Sequence, residues 1–489
     1  MPKQRDLFIL AGTGLFDPRH LGSPETCTVL MVEDQMLCRR TRYHKQKLAF
    51  ILAAMRDHRD LLTSCGFEVD YFDLNTGVGL PEAMTTAADR RKPRSVHYFE
   101  TDESAPTKAI EAAASKLGLA TQPKDSPMFL TSTARLDGFF SGSNPAMSTF
   151  AQHQYEALGL QTAEFPGTVQ NNALCDIDRR KFLPRPHCVV HTANASEVID
   201  MVDTRFPRYP GRSEGLWLPT TRQGALDWLE RFLQQRLAGF TSYDESITQR
   251  SRTVHHSVLS PLLNVGLITP DEVVEQTLTF ARRNQVTRTD VAGFLDQIVV
   301  QREFIRGAYR VYGTSMRRRN AWSASRKLGK SWLKAETGIP PLDHALQGAI
   351  DWSWNHHTER LMVIANLMKL AEIAPNDVYR FFMSHYIDAY DWVMVPNVYG
   401  VGLQSEGSIF ATRQNLCRSG DLLRVSDFEP GPWCDVVDGL YWRFVIKHQD
   451  LLAKDPTMRE LVCEVRALPK ARRDEMLRAG EAFLATHTR

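Results

Sequence analysis

The sequence predicts an α/β domain, a long connection and a large all-α domain, in that order along the chain. Short apolar runs alternate with helical patterns in residues 1–125. Residues 126–220 carry many Pro, Gly, Asn and Thr residues, and residues 221–489 show helical periodicity almost throughout. Alternating strands and helices are typical of a doubly wound, Rossmann-like domain, whereas sustained helical periodicity is typical of an all-α domain.

Three short strands and two helices carry the prediction for the first domain. Residues 7–11 and 28–32 are apolar runs bounded by turn residues, which is the pattern of buried parallel strands, and residues 67–71 predict a third strand. Apolar residues recur at helical spacing in residues 42–62, which indicates a long amphipathic helix. Residues 108–117 predict a further helix.

The all-α domain is predicted to begin at Thr221. Helical patterns follow one another along it at residues 273–281, 290–310, 342–370 and 375–392. Pro396 is expected to end the last helix, because proline lacks a backbone donor and clashes with the preceding turn. The connection before this domain is expected to be irregular and to wrap the surface.

The composition is that of a soluble globular protein. Hydrophobic residues make up 43% and charged residues 24% of the 489 residues, and the formal net charge is +2. This balance neither supports nor excludes nucleic-acid binding, because a basic patch can lie within a balanced total. No apolar stretch has the length of a membrane span or a signal-peptide core, so we expect a cytoplasmic protein. The oligomeric state stays open.

Several common site motifs are absent from the sequence. It contains no metal-ligand cluster, Walker loop or hydrolase elbow, and Gly12-Thr13-Gly14 lacks the third glycine of a dinucleotide fingerprint. The eight cysteines form no C-x-x-C pair, which is expected of scattered reduced thiols.

Two polar segments in the helical region could contact a ligand. The first lies where a helix is predicted to begin, and Ser257 or Ser260 there could bind phosphate through free backbone N–H groups or simply cap the helix. The second contains Glu303 and Arg306, three residues apart on one helix face. These two side chains could serve a site or form a surface ion pair.

A polar segment that interrupts an apolar helix is the most informative part of the sequence. His356 and His357 are adjacent and therefore point about 100° apart on a helix, which places them poorly for binding one metal ion. Arg360 follows one turn later, and a buried arginine needs a carboxylate, for which Asp388 and Asp391 are candidates. The segment is either a polar belt between helices or a proton donor beside a bound cofactor.

Four segments of the helical region occur in a fixed order: His256-Ser257-Val258-Leu259-Ser260-Pro261, Arg302-Glu303-Phe304-Ile305-Arg306-Gly307, His356-His357-Thr358-Glu359-Arg360-Leu361-Met362-Val363, and residues 388–397. Residues 43–47 and 53–56 belong to the same set. Together they resemble the photolyase–cryptochrome family, in particular its bacterial branch of iron–sulfur (6-4) photolyases. The resemblance covers nearly the whole chain, and it implies an antenna domain, a linker and a helical domain that holds a U-shaped FAD.

The resemblance also implies roles for individual residues. The H-S-x-L-S segment of the family contacts the flavin phosphates, which assigns Ser257 and Ser260 to that contact. Arg360 would pair with Asp388 near the isoalloxazine ring, where a cation favours the reduced flavin anion. The predicted catalytic residues are His356 and His357, which would face the lesion and transfer protons. The remaining FAD contacts that it implies are Leu259, Glu303, Asp391, Met394 and Asn397.

The chain departs from this branch at the iron–sulfur cluster. The branch carries four ligating cysteines, but this sequence has no cysteine between Cys188 and Cys417 and no C-x-x-C. Cys434 precedes Leu440-Tyr441-Trp442 and cannot hold a cluster alone. We therefore predict that the protein has no iron–sulfur cluster and no other bound metal, and that residues 426–432 are a shortened replacement for the cluster loop.

Further departures surround the expected flavin. Met394 replaces a carboxylate, and Leu416 and Leu422 stand where pocket tyrosines are expected. Phe381 and Phe382 stand where a Trp-Tyr electron-transfer pair is expected, and phenylalanine is much harder to oxidise than tryptophan. These changes predict that the usual route for flavin photoreduction is interrupted.

The antenna domain departs as well. The family's G-D-Q-L segment is replaced by Gly12-Thr13-Gly14-Leu15, whereas Glu33 remains as a candidate antenna contact. The identity of an antenna chromophore therefore stays open.

Three functions are compatible with these residues. Light-driven repair of (6-4) lesions in damaged DNA is favoured by the retained His356 and His357, and residues 317–319 with Arg326-Lys327 would supply a basic rim or a solvated face. A flavoenzyme acting on an apolar small molecule would suit the Leu and Met replacements. A cryptochrome-like photoreceptor without repair activity is disfavoured by the two phenylalanines, because signalling usually needs flavin photoreduction.

Overall fold

The computed structural model describes residues 5–141, 146–160, 165, 183–184, 188–407, 416–454 and 458–489. Cys175, one of the predicted reduced thiols, lies outside the described residues. The predicted α/β class of the first domain is confirmed. Its five parallel strands have the order β3-β2-β1-β4-β5 and comprise β1 Asp6–Leu10, β2 Cys27–Val32, β3 Glu68–Phe72, β4 Ser95–Phe99 and β5 Ala120–Lys124.

Helices cover both faces of the sheet, because side chains alternate between the faces along each strand. Ile9 belongs to a core that the helices Leu80–Arg91 and Ser104–Lys116 close on one face. Phe8 points the other way, into a larger core with the helix Lys45–Ser64. This larger core also contains residues of the helical part of the chain, such as Phe232 and Phe294, so the two parts share one hydrophobic core. A second large core lies within the helical part.

The region predicted to be irregular, residues 126–220, contains the helices Thr133–Phe140, Met147–Ala157 and Ala193–Arg205. These helices form because each carries apolar residues at helical spacing that pack inward. Phe140 and Phe150, for example, lie 5.3 and 5.6 Å from Phe304 between ring centroids. The prediction of an irregular connection was therefore wrong in part.

The all-α prediction for the following region is confirmed. Its α-helices are Arg222–Gln235, Phe240–Tyr243, Ser260–Val265, Pro270–Asn284, Arg288–Asp296, Arg302–Arg318, Pro340–Asp351, Asn366–Leu370, Pro375–His385, Asp391–Val395, Ser419–Arg424, Trp433–Lys447, Gln449–Leu452, Arg459–Ala467 and Lys470–His487. Throughout the part of the chain that the structure describes, no helix combines the length and apolarity needed to cross a membrane.

Wider, π-helical turns interrupt this series at Gln297–Gln301, Glu359–Ala365 and Pro396–Gly402. The predicted continuous helix over residues 342–370 is wrong, because the chain leaves the helix after Asp351 and turns at Ser353, which has a positive φ of 53°. Pro396 does not end its helix either. It begins a π-helical turn that continues Asp391–Val395, and the wider turn relieves the clash of a proline ring with the preceding turn.

The segment 43–47 joins the two parts of the chain. Nε2 of His44 lies 2.7 Å from the carbonyl oxygen of Ile350, and Gln46 Nε2 donates to the carbonyl of Asp351 at 2.6 Å. Burial lowers the pKa of His44 to about 4, so the ring is neutral at neutral pH. These contacts fix the sheet domain against the loop that leads into the predicted histidine pair.

Candidate functional site

A cavity of about 280 Å³ lies within the helical part of the chain. Its walls come from the helices Ser260–Val265 and Arg302–Arg318, from the loop after Asp351 and from all three π-helical turns. Sequence-distant segments therefore converge on one space. The predicted site residues that line it are Ser257, Leu259, Ser260, His356, His357, Arg360, Asp388, Met394 and Asn397.

Glu303, a predicted cofactor contact, is not among the residues that line this cavity. Its carboxylate accepts a hydrogen bond of 2.8 Å from the backbone N–H of Leu130, and burial raises its pKa to about 7. Because successive residues of a helix point about 100° apart, Arg302 and Ile305 face the cavity instead. The surface ion pair considered for Glu303 and Arg306 is also wrong, since Arg306 binds Asp102 at 2.7 Å.

Arg360 and Asp388 form an ion pair in the cavity wall. Two guanidinium nitrogens donate to the two carboxylate oxygens at 3.0 and 3.1 Å, and Ser260 Oγ donates to the same carboxylate at 2.7 Å. The guanidinium carbon lies 4.2 Å from the ring centre of Tyr386, and Nε donates to the carbonyl of Asn355 at 2.8 Å. The pair therefore presents a fixed cation to the cavity.

Three imidazoles meet at one side of the cavity. The rings of His256 and His356 stack with centroids 4.5 Å apart and an interplanar angle of 14°. Burial lowers the pKa of both well below the usual range, so both are neutral at neutral pH. His357 differs, because its side chain is 45% exposed and its Nδ1 lies 3.9 Å from Asp244 Oδ1. His357 is therefore the member of the predicted histidine pair that reaches solvent.

Asp244, His256 and His357 bring one ligand atom each within 4.8 Å of one another. One carboxylate and two imidazoles are donors that suit zinc and other first-row transition metals. Sequence reasoning rejected a metal on the adjacent histidine pair and overlooked this set, because its members are brought together only by the fold. Among the described residues, no cysteine belongs to a group of this kind.

Several buried polar atoms along the cavity lack a hydrogen-bond partner within the described part of the chain. They are Nε2 of His256, Nδ1 of His356 and Nε of Arg302. Buried polar groups are almost always hydrogen-bonded, so unpartnered atoms on a cavity wall indicate a ligand that supplies the partners. The arrangement suits a ligand with an anionic part near Arg302 and with hydrogen-bonding edges near the imidazoles.

Asp391, another predicted contact, lines a second cavity of about 170 Å³ at the carboxyl end of β1, where ligands of parallel sheets usually bind. Its carboxylate pairs with Arg317 at 3.0 Å and with Arg40 at 3.5 Å. Arg317 therefore points inward rather than along the predicted basic rim. The backbone N–H of Asp391 donates to Glu103 at 2.6 Å, and burial raises the pKa of that carboxyl to about 7.

Glu33, the candidate antenna contact, is not among the residues that line the second cavity. Its carboxylate accepts hydrogen bonds from Arg56 Nε and the Tyr71 hydroxyl, each at 2.7 Å, and from the backbone N–H of Leu74 at 2.9 Å. This buried network joins strand to helix, so the position of Glu33 has a structural explanation.

The aromatic and aliphatic replacements seen in the sequence are distributed unevenly. Phe382 lines the main cavity, whereas Leu416 and Leu422 are not among the described residues that do so. Leu422 is fully buried in the core around Cys417. The wall also contains polar residues that were not predicted as site residues from the sequence: Asn264, Gln297, Gln301 and Arg302. Their helical spacing from Ser260 or from the segment that begins at Arg302 could have identified them.

Comparisons with known proteins agree with this architecture. A family model described as deoxyribodipyrimidine photo-lyase-related protein matches residues 16–160. The "(6-4) photolyase" of Agrobacterium fabrum is 25% identical over 481 residues, covering 94% of each chain. A bacterial class III photolyase from Agrobacterium tumefaciens superposes with a TM-score of 0.59 at 16% identity, covering 98% of this chain and 92% of that one. A cryptochrome from Synechocystis gives 0.60 at 14% identity, covering 98% of both.

Proposed function

We propose that this chain, which is similar to photolyases and cryptochromes in sequence and fold, binds FAD in the main cavity and uses light to repair (6-4) lesions in DNA. The relative that carries this activity in its name matches along nearly the whole length of both chains. The observation that carries the proposal is the position of His357 at the solvent side of the cavity, beside Asp244 and in front of two neutral imidazoles.

The residues present fit FAD. Arg302 supplies a cation for the phosphates, and its unpartnered Nε gains an acceptor. Leu263, Ile305 and Met394 offer apolar surface for an aromatic ring system. The orphaned nitrogens of the buried histidines find partners on a ring with polar edges. When bound, FAD supplies the light-driven one-electron chemistry that amino-acid side chains lack.

The chain's own residues contribute charge, position and protons. Asp388 holds Arg360 in a fixed orientation, and a fixed cation lowers the free energy of negative charge on a neighbouring ligand. Asp244 Oδ1 lies 3.9 Å from His357 Nδ1, which is too long for a hydrogen bond but places a carboxylate beside the ring. We assign proton exchange with a bound lesion to this exposed imidazole. His356 is buried and neutral, so its part is to pack and to hydrogen-bond rather than to donate a proton.

The test begins with purified wild-type protein, its flavin content and its iron content. A (6-4) oligonucleotide is then incubated with it in the dark and under blue light. We expect close to one flavin per chain, no stoichiometric iron and repair only in the light. A preparation without flavin contradicts the binding proposal. Bound flavin without light-dependent repair contradicts the repair proposal and favours action on a small molecule.

A single variant tests the role of His357. His357→Ala is expected to keep its flavin and to lose repair by about 100-fold, which is the lower range for removing a general acid. His153→Ala serves as the matched control, because that histidine stacks on Phe139 in the connection and does not line the cavity. Equal repair rates for His357→Ala and the control would exclude the assigned proton transfer.

A further inference from the structure

A third cavity, of about 470 Å³, lies between the helix Lys45–Ser64 and the beginning of the helix Arg222–Gln235. It is larger than the main cavity, and its volume lies within the range of about 300–1,000 Å³ that is usual for small-molecule sites. None of the described residues that line it lines the main or the second cavity. The third cavity is therefore distinct from both.

His58 is buried in the wall of the third cavity and lacks hydrogen-bond partners. The residue is 2% exposed, and neither Nδ1 nor Nε2 has a partner within the described part of the chain. Burial lowers the pKa of the ring to about 4, so the imidazole is neutral at neutral pH, with one nitrogen a donor and the other an acceptor. Leaving buried polar atoms unpartnered is unfavourable, and native structures rarely do so. His58 thus indicates a ligand that offers it both an acceptor and a donor.

The charged residues around the third cavity disfavour an anionic ligand. Asp17 and Asp57 both line it, and among the described lining residues only Arg222 carries a positive charge at neutral pH. Its guanidinium is already bound. Nε lies 3.1 Å from the Asp17 carboxylate, a terminal nitrogen donates to the carbonyl oxygen of Leu267 at 3.0 Å, and Glu272 forms a further ion pair with it. A phosphate group in this cavity would therefore meet two carboxylates and no available cation among these residues.

Other polar groups of this wall are held by bonds within the chain. Asp57 accepts hydrogen bonds from Thr220 Oγ1 at 2.6 Å and from Asn194 Nδ2 at 2.9 Å, which fix its carboxylate. Thr221 caps the helix that begins at Arg222, because its Oγ1 accepts a hydrogen bond of 3.0 Å from the backbone N–H of Gly224. Of the described groups in this wall, His58 is the buried one that needs partners.

Much of the remaining wall is apolar. Leu61, Leu226 and Leu267 line the cavity together with Pro18. Apolar surface of a ligand gains free energy when it leaves water and packs against such side chains. A planar nitrogen heterocycle meets both requirements of the cavity, because its faces are apolar and its edge carries hydrogen-bond donors and acceptors.

We propose that the third cavity binds a neutral nitrogen heterocycle of nucleoside size, with His58 hydrogen-bonded to the edge of its ring. Such a ligand contacts the helix Lys45–Ser64 of the sheet domain and the helix Arg222–Gln235 of the helical part at once. Its binding therefore stabilises the contact between the two parts of the chain. The proposal depends neither on FAD binding nor on repair, because the third cavity shares no described residue with the main cavity.

The first experiment is isothermal titration calorimetry on the full chain as purified. Adenosine and uridine are the neutral probes, and the corresponding nucleoside monophosphates are their anionic counterparts. We expect at least one nucleoside to bind with a Kd below about 1 mM, and its monophosphate to bind about tenfold more weakly or worse. His58→Phe removes both ring nitrogens and should weaken nucleoside binding by about tenfold, which is the order expected for a lost hydrogen bond to a buried group.

His153→Phe is the matched control, because His153 does not line the third cavity, and it should bind like wild type. The proposal is overturned if neither nucleoside binds or if His58→Phe binds it as tightly as wild type. A monophosphate that binds as tightly as its nucleoside overturns the assignment of a neutral ligand.

The second experiment locates the bound nucleoside through Cys65, an exposed cysteine that lines the third cavity. The protein is alkylated with iodoacetamide, and labelling of each cysteine is followed by peptide mass spectrometry. A saturating nucleoside should slow the alkylation of Cys65, while that of Cys463, exposed on the helix Arg459–Ala467, stays unchanged. If a bound nucleoside protects neither cysteine, or both equally, it does not lie in the third cavity and the proposal is overturned.

Leu226→Trp keeps the proposal falsifiable if His58→Phe fails to fold. Leu226 is only partly buried, and the larger side chain is expected to fill the cavity. This variant should lose both nucleoside binding and the protection of Cys65. Nucleoside binding as tight as in wild type would overturn the proposal.

Discussion

The ion pair between Arg360 and Asp388 allows a quantitative test. In Asp388→Asn the side chain keeps its shape and one acceptor, but the buried guanidinium loses its counter-charge. The two side chains are only 14% and 7% exposed, and removing one partner of a buried pair usually costs about 3–5 kcal/mol. Because the amide oxygen and the Asn355 carbonyl still accept hydrogen bonds, we expect the lower end. About 3 kcal/mol corresponds to roughly a 150-fold change in the unfolding equilibrium constant.

The assay is urea unfolding of the flavin-free protein, followed by circular dichroism and tryptophan fluorescence. Asp137→Asn is the matched control, because it alters another bidentate arginine pair, with Arg310 at 2.8 Å for both hydrogen bonds, in which Asp137 is 47% exposed. An exposed pair is worth about 0–1 kcal/mol. The double variant Arg360→Met/Asp388→Leu should lower the free energy of unfolding by less than Asp388→Asn does, because it leaves no charge buried. If Asp388→Asn and Asp137→Asn lowered the free energy of unfolding by the same amount, the reasoning would be refuted.

Two further predictions concern the wall behind the cavity. Gly307→Ala places a methyl group against the Phe140 ring, and such overpacking should lower the free energy of unfolding by about 1–3 kcal/mol; an unchanged melting temperature would mean that the two helices are not in contact. Glu303 has a folded-state pKa raised from 4.5 to about 7, so it stabilises the fold below about pH 4.5 and this contribution is lost as the pH rises towards 7. Glu303→Gln should therefore show a flatter dependence of stability on pH across this window, and identical slopes for both proteins would contradict the assignment.

The sheet shows which strands the hydrophobic pattern of the sequence can predict. The first three strands were predicted because β1 and β2 are almost entirely buried apolar runs and β3 follows a strong helix. β4 and β5 were missed. β5 forms one edge of the sheet, contains Pro123 and is largely exposed, so burial imposed no apolar pattern on it. β5 therefore takes its structure from its pairing with β4 rather than from its own composition.

The candidate site likewise contains some features that could be predicted from the sequence and others that could not. Residues within recognisable segments, such as Ser260 and Arg360, were predicted individually and do line the cavity. Apart from the Arg360–Asp388 pair, which the resemblance implied, contacts between distant segments were not predictable, because no local pattern encodes them. The approach of Asp244 to His357 spans more than a hundred positions of sequence. Single-residue facing errors, as at Glu303, follow from the uncertain phase of a helix next to a π-helical turn.

The π-helical turns that line the cavity also constrain how this protein can change. Each accommodates its residues in a wider winding than the α-helices around it. Deleting one residue from such a turn would restore an ordinary α-helix, but it would rotate every following side chain by about 100° and carry the wall residues out of the cavity. Substitutions can therefore change the chemistry of this wall one residue at a time, whereas an insertion or deletion within a turn displaces all the wall residues that follow it. The spacing of its residues is thus held more tightly than their identities.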